Sequence, residues 1–370
     1  MSLKAVLIAN RGEISVRVAR ALAELEIESV AIYASDDADS LHVQVADRAV
    51  ELPGRGVAAY LDIDSIVAVA KQAGCDAVHP GYGFISENAA FAEACEDAGL
   101  TFVGPTPQML LRLGDKAAAR ALATTLDVPL LPGTNKPTTI EEAREFYNTI
   151  DDGSVILKAL MGGGGRGARV VKKKSDLDAA FAACVSEAEK AFGSGEVYIE
   201  QYLPHVRHIE VQILGDGQGG LIHLGERDCT LQRRHQKLVE FAPAPGLLPD
   251  VRDALYRDSL KMATDVGYRG AATFEFLVDA DRGDCYWFME VNPRIQVEHT
   301  VTEEVSGVDL VQAQLRIAAG ESLEEMGLSQ TQPSEFNKYA VQLRVNMERL
   351  EPSGDIFPAS GVLSRYEMPS

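Results

Sequence analysis

A chain of 370 residues with 46% apolar content has enough material for the cores of two or three domains. Its formal net charge of −20, without a long basic run, argues against nucleic acid or an anionic membrane as partner. No apolar stretch approaches the length of a membrane span, and Cys75, Cys95, Cys184, Cys229 and Cys285 lie scattered without a C-x-x-C pair, so reduced thiols in a soluble cytoplasmic protein are expected.

Residues 4–9 (KAVLIA) read as a short apolar strand, and residues 29–33 as a second. The helix between them places Ile14, Val18, Ala21, Leu22 and Leu25 on one face. Its entry turn has one glycine instead of G-x-G-x-x-G, which makes a dinucleotide reading weak there. Strand 76–79 runs into HPGYGFISEN, where Ser86 is the expected cap of a helix over 87–98. Strand 100–103 follows, then helices capped by Thr106 and Asp115, the second over 116–126. Residues 1–113 are thus expected to form a doubly wound α/β domain.

After Pro129, Pro132, Gly133 and Pro137, Thr139 caps a helix over 141–148, and residues 154–159 (SVILKA) form a strand. Four consecutive glycines (162–165) separate it from a returning strand, 168–171. Their amides can close over an anion, and Lys158 beside them can reach phosphate oxygens. The bland alternative is a floppy surface loop, and with no G-K-[ST] this is not a Walker A loop. Helix 177–192 and strand 197–200 lead into Gln201-Tyr202-Leu203, a connection whose backbone suits an adenine edge. His208, Glu210 and Gln212 then alternate with Ile209, Val211 and Ile213. ERDCTLQRRHQKLVE (226–240) has the composition of a solvated loop, yet Arg233, Arg234, His235 and Lys237 form the densest cationic patch of an acidic chain. An anionic substrate would be steered there. A helix over 249–266 follows.

Residues 273–299 (TFEFLVDADRGDCYWFMEVNPRIQVEH) read as two apolar strands joined by a polar turn. A two-residue Arg282-Gly283 loop would set Glu275 opposite Glu290, and like charges facing each other call for a cation between them. Asn292 shares the face of Glu290, so two carboxylates and an amide oxygen offer a hard ligand set for Mg²⁺; the alternative is a solvated acidic face. Glu290, Asn292, Arg294, Gln296 and Glu298 keep a two-residue rhythm. One extended segment is therefore expected to deliver metal ligands, a cation and a general base to one cleft. Helix 308–319, strand 339–346 with Arg344, and a strand over 361–366 complete the reading.

The motifs IANRGEI (8–14), HPGYGFISEN (79–88), GDK (114–116), KALMGGGGRGARVV (158–171), RHIEVQILGD (207–216), ERDCTLQRRHQK (226–237), FEF (274–276) and EVNPRIQVEH (290–299) occur in that order. Together they closely resemble biotin carboxylase, the ATP-grasp component of the biotin-dependent carboxylases, over essentially the whole chain. The resemblance implies an ATP-grasp fold with an N-terminal doubly wound α/β domain (1–113) and an ATP-grasp region (114–319) containing a small glycine-loop lid (131–203). Residues 320–370 would begin a C-terminal antiparallel-sheet lobe.

The resemblance also implies the chemistry. ATP phosphorylates bicarbonate to carboxyphosphate, and the carboxyl group passes to N1′ of biotin on a carrier protein or domain. This is the first half-reaction of an acyl-CoA carboxylase, as in fatty acid metabolism, or of pyruvate carboxylase. By the family's pattern Lys116, Lys158, Gly164, Gly165, Glu200, Gln201, Tyr202, Leu203, His208, Gln232 and His235 hold ATP. Glu275, Glu290 and Asn292 bind Mg²⁺ or Mn²⁺. Lys237, Arg294, Gln296 and Val297 hold bicarbonate, Glu298 deprotonates it, and Arg344 stabilises the biotin enolate. A carboxyltransferase subunit or domain is the implied partner, and a homodimer if the C-terminal lobe is complete.

Gln201, Phe241, Tyr339 and Met347-Glu348-Arg349 depart from the subunit-type pattern, and Phe241 and Thr300 look more like single-chain carboxylases such as pyruvate carboxylase. The family's domain continues past the position of Ser370, so a fragment or a shortened form is expected. Two other readings stay open: a different ATP-grasp carboxylate ligase, against which RIQVEH and ERDCTLQRRHQK argue, and a non-catalytic nucleotide-binding module.

Overall fold

The computed structural model describes all residues apart from 1–2, 135, 151–152, 161–167, 234–235, 331–337, 360, 362–364, 366 and 368–370. Strands β1 (Ala5–Ile8), β2 (Glu28–Tyr33), β3 (Arg48–Glu51), β4 (Ala77–His79) and β5 (Thr101–Phe102) form a parallel sheet in the order β3-β2-β1-β4-β5. This is the expected doubly wound sheet, and its central strand β1 is buried throughout, as a strand covered on both faces must be. Ile14, Val18 and Leu22 of the helix Gly12–Glu24 pack on one face, while Leu7, Ile32, Phe91 and Phe102 form a core with the other.

One cap differs from expectation. Ser86 lies in a turn, and the helix starts later, at Ala89–Asp97, where the Asn88 side chain accepts from the Phe91 amide. The preceding loop is pinned by Asn10, whose Nδ2 donates to the carbonyls of Pro80 and Tyr82, both at 2.8 Å. Gly81 makes that clamp fit: its φ is +62°, and a Cβ there would lie 2.9 Å from Asn10 Nδ2. The loop therefore presents Glu87 at a defined position.

A second, antiparallel sheet comprises β6 (Val155–Ala159), β7 (Ala168–Val171) and β8 (Val197–Gln201), in the order β7-β6-β8. Helices Ile140–Tyr147, with a Thr139–Glu142 capping box, and Leu177–Phe192 cover it over a small core of Tyr147, Leu157, Cys184 and Ile199. β6 and β7 pair as the glycine hairpin requires, but the glycines themselves lie outside the described residues.

The largest sheet is antiparallel, in the order β13-β12-β9-β10-β11-β14. Its strands are β9 (Val206–Asp216), β10 (Leu221–Arg233), β11 (Gln236–Ala242), β12 (Arg269–Asp279), β13 (Tyr286–Asn292) and β14 (Ala340–Leu343). The charged stretch 226–240 is thus no solvated loop: Glu226, Arg227 and Asp228 are buried in the long strand β10, and Lys237 lies in the return strand β11. Val211, Phe274 and Phe276 pack against helices Lys116–Thr125 and Pro249–Asp265. On the other pleat Leu214, Ile222 and Ala271 meet the helices Gly12–Glu24 and Leu310–Ala318. That pleat also carries Glu210, Gln212, Thr273 and Glu275.

The β12–β13 hairpin reaches its expected register by another route. Near the turn Val278 pairs with Tyr286 and Phe276 with Phe288, and the turn is longer than Arg282-Gly283. Asp279 closes it, bonding Cys285 through its amide and accepting from the amides of Asp281 and Arg282. A register shift between Glu275 and Phe276 then adds one residue on β13 and restores Glu275 opposite Glu290. Beyond β14 a short hairpin, β15 (Glu348–Leu350) with β16 (Ile356–Pro358), was not anticipated, and the strand expected over 361–366 lies mostly outside the described residues. Among the described residues no helix is long and apolar enough to cross a membrane.

Candidate active site

The facing carboxylates of Glu275 and Glu290 each meet a cation of the protein. Glu275 lies with its Oε1 3.0 Å from Lys237 Nζ, and Lys116 Nζ stands 3.5 Å from Glu290 Oε2. Glu275 Oε1 also accepts from Asn292 Nδ2 at 2.8 Å and Gln296 Nε2 at 3.0 Å, while Oε2 lies 2.8 Å from His208 Nε2. Burial alone would raise this carboxyl's pKa, but Lys237 and His208 override it and hold Glu275 well below the usual range. Glu290 is more open, with its side chain 25% exposed, and forms the mouth of the site.

Lys237 sits among three carboxylates, 2.5 Å from Glu210, 3.0 Å from Glu275 and 2.7 Å from Glu298. Burial would lower the pKa of this ammonium group, and the three acids push it well above its ordinary value. Arg344 closes the far side, donating to Glu298 at 2.7 Å and to Glu240 at 2.6 Å. Glu298 is 2% exposed; burial would raise its pKa, yet Lys237, Arg227 and Arg344 bring it down to about 2. Because its folded pKa lies below the ordinary 4.5, this group adds stability above pH 4.5 that is lost as pH falls towards 2. Urea unfolding between pH 6 and 2 is expected to show that loss, and Glu298→Gln is expected to flatten it.

The extended segment expected over 290–298 does not exist as such. Pro293 offers no amide to the ladder, so β13 ends at Asn292, and a turn at Val297-Glu298 leads into a helix, His299–Ser306. Asn292, Gln296 and Glu298 nevertheless reach one cluster, because the turn brings Gln296 onto Glu275 and Glu298 onto Lys237. Arg294 points instead to the N-terminal sheet's loop, donating to Glu87, and to Asn292 Oδ1 at 3.0 Å. Val297 is half-buried in the turn.

The nucleotide-side residues form a second cluster. Lys158 on β6 donates to Glu200 on β8 at 2.5 Å, and Arg120 takes the other oxygen of the same carboxylate. Burial would raise Glu200, and Lys158 and Arg120 keep it low; burial would lower Lys158, and Glu200 raises it. Gly133 approaches so closely that a Cβ there would lie 2.9 Å from both Glu200 Cγ and the Ile199 carbonyl oxygen. Lys116, Ala117, Arg120, Thr134, Leu160 and Tyr198 line a crevice beside this pair. The amides of Gln201 and Tyr202 already bond the carbonyls of Pro132 and Ser154, so these two donors are spent on the fold; Leu203 follows, half-buried. Gln232 Nε2 lies 2.9 Å from His208 Nδ1, linking that histidine to β10. Gly164, Gly165 and His235 lie outside the described residues.

Sequence reading passed over Arg120, Glu240, Glu87 and Arg227 and gave Glu210 no role. Arg227 is fully buried and directly opposite Glu210 in the β9–β10 register, so strand alternation of charged residues was the available signal. Ionised Glu275, the open Glu290 and the amide of Asn292 together suit a hard divalent cation such as Mg²⁺, provided that Asn292 turns its oxygen from Arg294. The other metal-like groupings among the described residues, His208–Glu210–Glu275 and Glu210–Cys229–Glu298, already hold Lys237 or Arg227.

A sheet-and-lid pair with lysines and carboxylates converging between them defines an ATP-grasp protein. Residues 2–110 match the family model described as biotin carboxylase, N-terminal domain, and residues 115–326 that described as carbamoyl-phosphate synthase L chain, ATP binding domain. The biotin carboxylase domain of Hydrogenobacter thermophilus 2-oxoglutarate carboxylase, solved with MgADP, ADP and bicarbonate, is 42% identical with a TM-score of 0.94, covering 100% of this chain and 80% of that one. The biotin carboxylase domain of a single-chain bacterial carboxylase is 51% identical, with a TM-score of 0.83 over 93% of this chain and 75% of that one. This chain belongs to the biotin carboxylase family. Among curated relatives, pyruvate carboxylase of Aspergillus niger is 49% identical over 99% of this chain and the human mitochondrial enzyme 51% over 97%. The chain spans only 31% and 30% of their lengths.

Proposed function

We propose that this chain catalyses the ATP- and bicarbonate-dependent carboxylation of biotin carried on a carrier protein or domain, through carboxyphosphate. The observation behind this reading is the joined cluster Glu275–Lys237–Glu298–Arg344, in which Lys237 links Glu275, one of the facing acids, to Glu298 and through it to Arg344. Lys116, Lys158, His208 and Gln232 would hold ATP, with Glu200 positioning Lys158. Glu275, Glu290 and Asn292 would hold Mg²⁺ or Mn²⁺, which when bound neutralises phosphate charge.

Bicarbonate would enter between Lys237, Arg294, Gln296 and the Val297 backbone, and Glu298 would take its proton. A carboxylate held near pKa 2 is a weak base. It becomes stronger when Lys237 and Arg344 turn part of their charge towards the bound anion, so substrate binding itself tunes the base. The bicarbonate oxygen would then attack the γ-phosphorus as ADP leaves, and the carboxyl group would pass to N1′ of biotin while the departing phosphate takes the N1′ proton. Arg344, released from Glu298, would stabilise the ureido oxyanion.

The division into residues 1–113, 114–319 with a lid at 131–203, and 320–370 suits this chemistry, since closing the glycine hairpin would exclude water from labile carboxyphosphate. The parent enzyme would be a cytoplasmic, multidomain carboxylase with carrier and carboxyltransferase partners. Curated relatives that are pyruvate carboxylases favour a keto-acid acceptor over an acyl-CoA, although a long-chain acyl-CoA carboxylase at 41% identity also matches in structure. ATP hydrolysis should require bicarbonate and rise further with free biotin. Turnover indifferent to bicarbonate would instead identify another ATP-grasp ligase, and ATP binding without turnover a non-catalytic module.

A further inference from the structure

Arg227 is 0% exposed in the middle of the largest sheet and touches no group that would meet ATP or biotin in the proposed reaction. Its guanidinium donates through Nε to Glu210, through one terminal nitrogen to Gln212 and Thr302, both at 2.8 Å, and through the other to Thr273 at 3.0 Å and Gln296 at 3.2 Å. These acceptors come from β9, from β12, from the turn before the helix His299–Ser306, and from that helix itself. One carboxylate would neutralise the charge; the remaining contacts fix geometry instead.

Two of the acceptors reach the reacting cluster with their other atoms. An arginine only donates, so Gln296 must turn its carbonyl oxygen to Arg227, and its NH₂ group is thereby directed to Glu275 Oε1 at 3.0 Å. Glu210 gives one oxygen to Arg227 and the other to Lys237 at 2.5 Å. We infer that Arg227 is a positioning residue for the bicarbonate pocket, setting the amide of Gln296 and, through Glu210, the ammonium of Lys237; the inference rests on the proposed carboxylation. A lysine at this place keeps the charge, but three donors on one nitrogen cannot serve the five acceptors that the planar guanidinium reaches from three nitrogens.

The test compares the purified parent protein with Arg227→Lys, measuring MgADP affinity and steady-state ATP hydrolysis against bicarbonate concentration. The variant is expected to bind MgADP as the parent does, while kcat/KM for bicarbonate falls about 100-fold, mostly in kcat, as expected when reacting groups shift by about 1 Å. Bicarbonate efficiency at the parent level overturns the inference. So does an equal fall in MgADP affinity, since that marks a general loss of structure. If Arg227→Lys does not fold, Thr302→Val removes one acceptor on the helix side. It should lower bicarbonate efficiency several-fold at unchanged MgADP affinity, and unaltered kinetics overturn the idea. A parent without bicarbonate dependence sinks the proposed function and this inference together, whereas an active parent with unaffected variants sinks the positioning role alone.

Discussion

Glu298→Gln should lower bicarbonate-dependent ATP turnover by about 10³-fold, the middle of the range for losing a positioned general base. The substitution preserves volume, so the 2%-exposed site stays filled, while one of the two oxygens that accept from Lys237 and Arg344 becomes an NH₂ group. It removes the negative charge that Lys237 and Arg344 share, at 2.7 Å each. The nucleotide-side cluster of Lys158, Glu200 and Arg120 has no contact with Glu298, so the KM for ATP should stay near the parent value. Steady-state kinetics with ATP and bicarbonate varied separately checks both halves. Retention of more than a tenth of the parent rate would remove Glu298 from the role of base.

Lys237→Met should cost about 3–5 kcal/mol of stability, the range for leaving buried charges without their partner. Glu210, Glu275 and Glu298 all contact the Lys237 ammonium group, and Glu210 is 0% exposed. Arg227 and Arg344 still offset part of the repulsion, but Glu275 keeps only His208 and two amides. At least one of these carboxyls should then titrate above its unfolded value. A raised folded pKa adds stability that is present at low pH and lost as pH rises, so the variant should gain stability on moving from pH 8 to pH 5. Chemical denaturation at those two values decides it. A parent-like unfolding midpoint at both would show that Lys237 is not the counter-charge of the cluster. Bicarbonate-dependent turnover should vanish in the same protein.

Much of the framework was legible because it is local. The caps at Thr106, Asp115 and Thr139 formed as read, since each needs only an oxygen at the helix start and an amide within the first turn. The strands flanking the glycine hairpin followed from their short apolar runs, and the facing of Glu275 with Glu290 was expected from a two-residue Arg282-Gly283 loop. That last reading came right through a bulge that a simple two-residue turn did not contain. The extended tail expected over 290–298 ends at Asn292, because Pro293 has no amide for the ladder although the two-residue rhythm of polar residues continues past it.

Which groups act together lay beyond local reading. Arg120 meets Glu200 across 80 positions, Arg344 meets Glu298 across 46, and Arg294 meets Glu87 across 207. Helix Lys116–Thr125 gave no sign that Arg120 would be buried, since an arginine in an Ala-rich helix reads as a solvated residue.

The amino-acid sequence by itself determined the strands and caps, the order of motifs, and the inventory of lysines, arginines and acids around a glycine-rich hairpin. The tertiary structure alone decided which acid faces which cation and how each ionises. Glu298 and Glu240 are both glutamates bound to Arg344, yet one is brought down to about 2 and the other is raised. Burial would raise both, and only Glu298 also has Lys237 and Arg227 to overcome it. Ionisation depends on burial and on charges a few ångströms away, and the fold supplies both from distant parts of the chain.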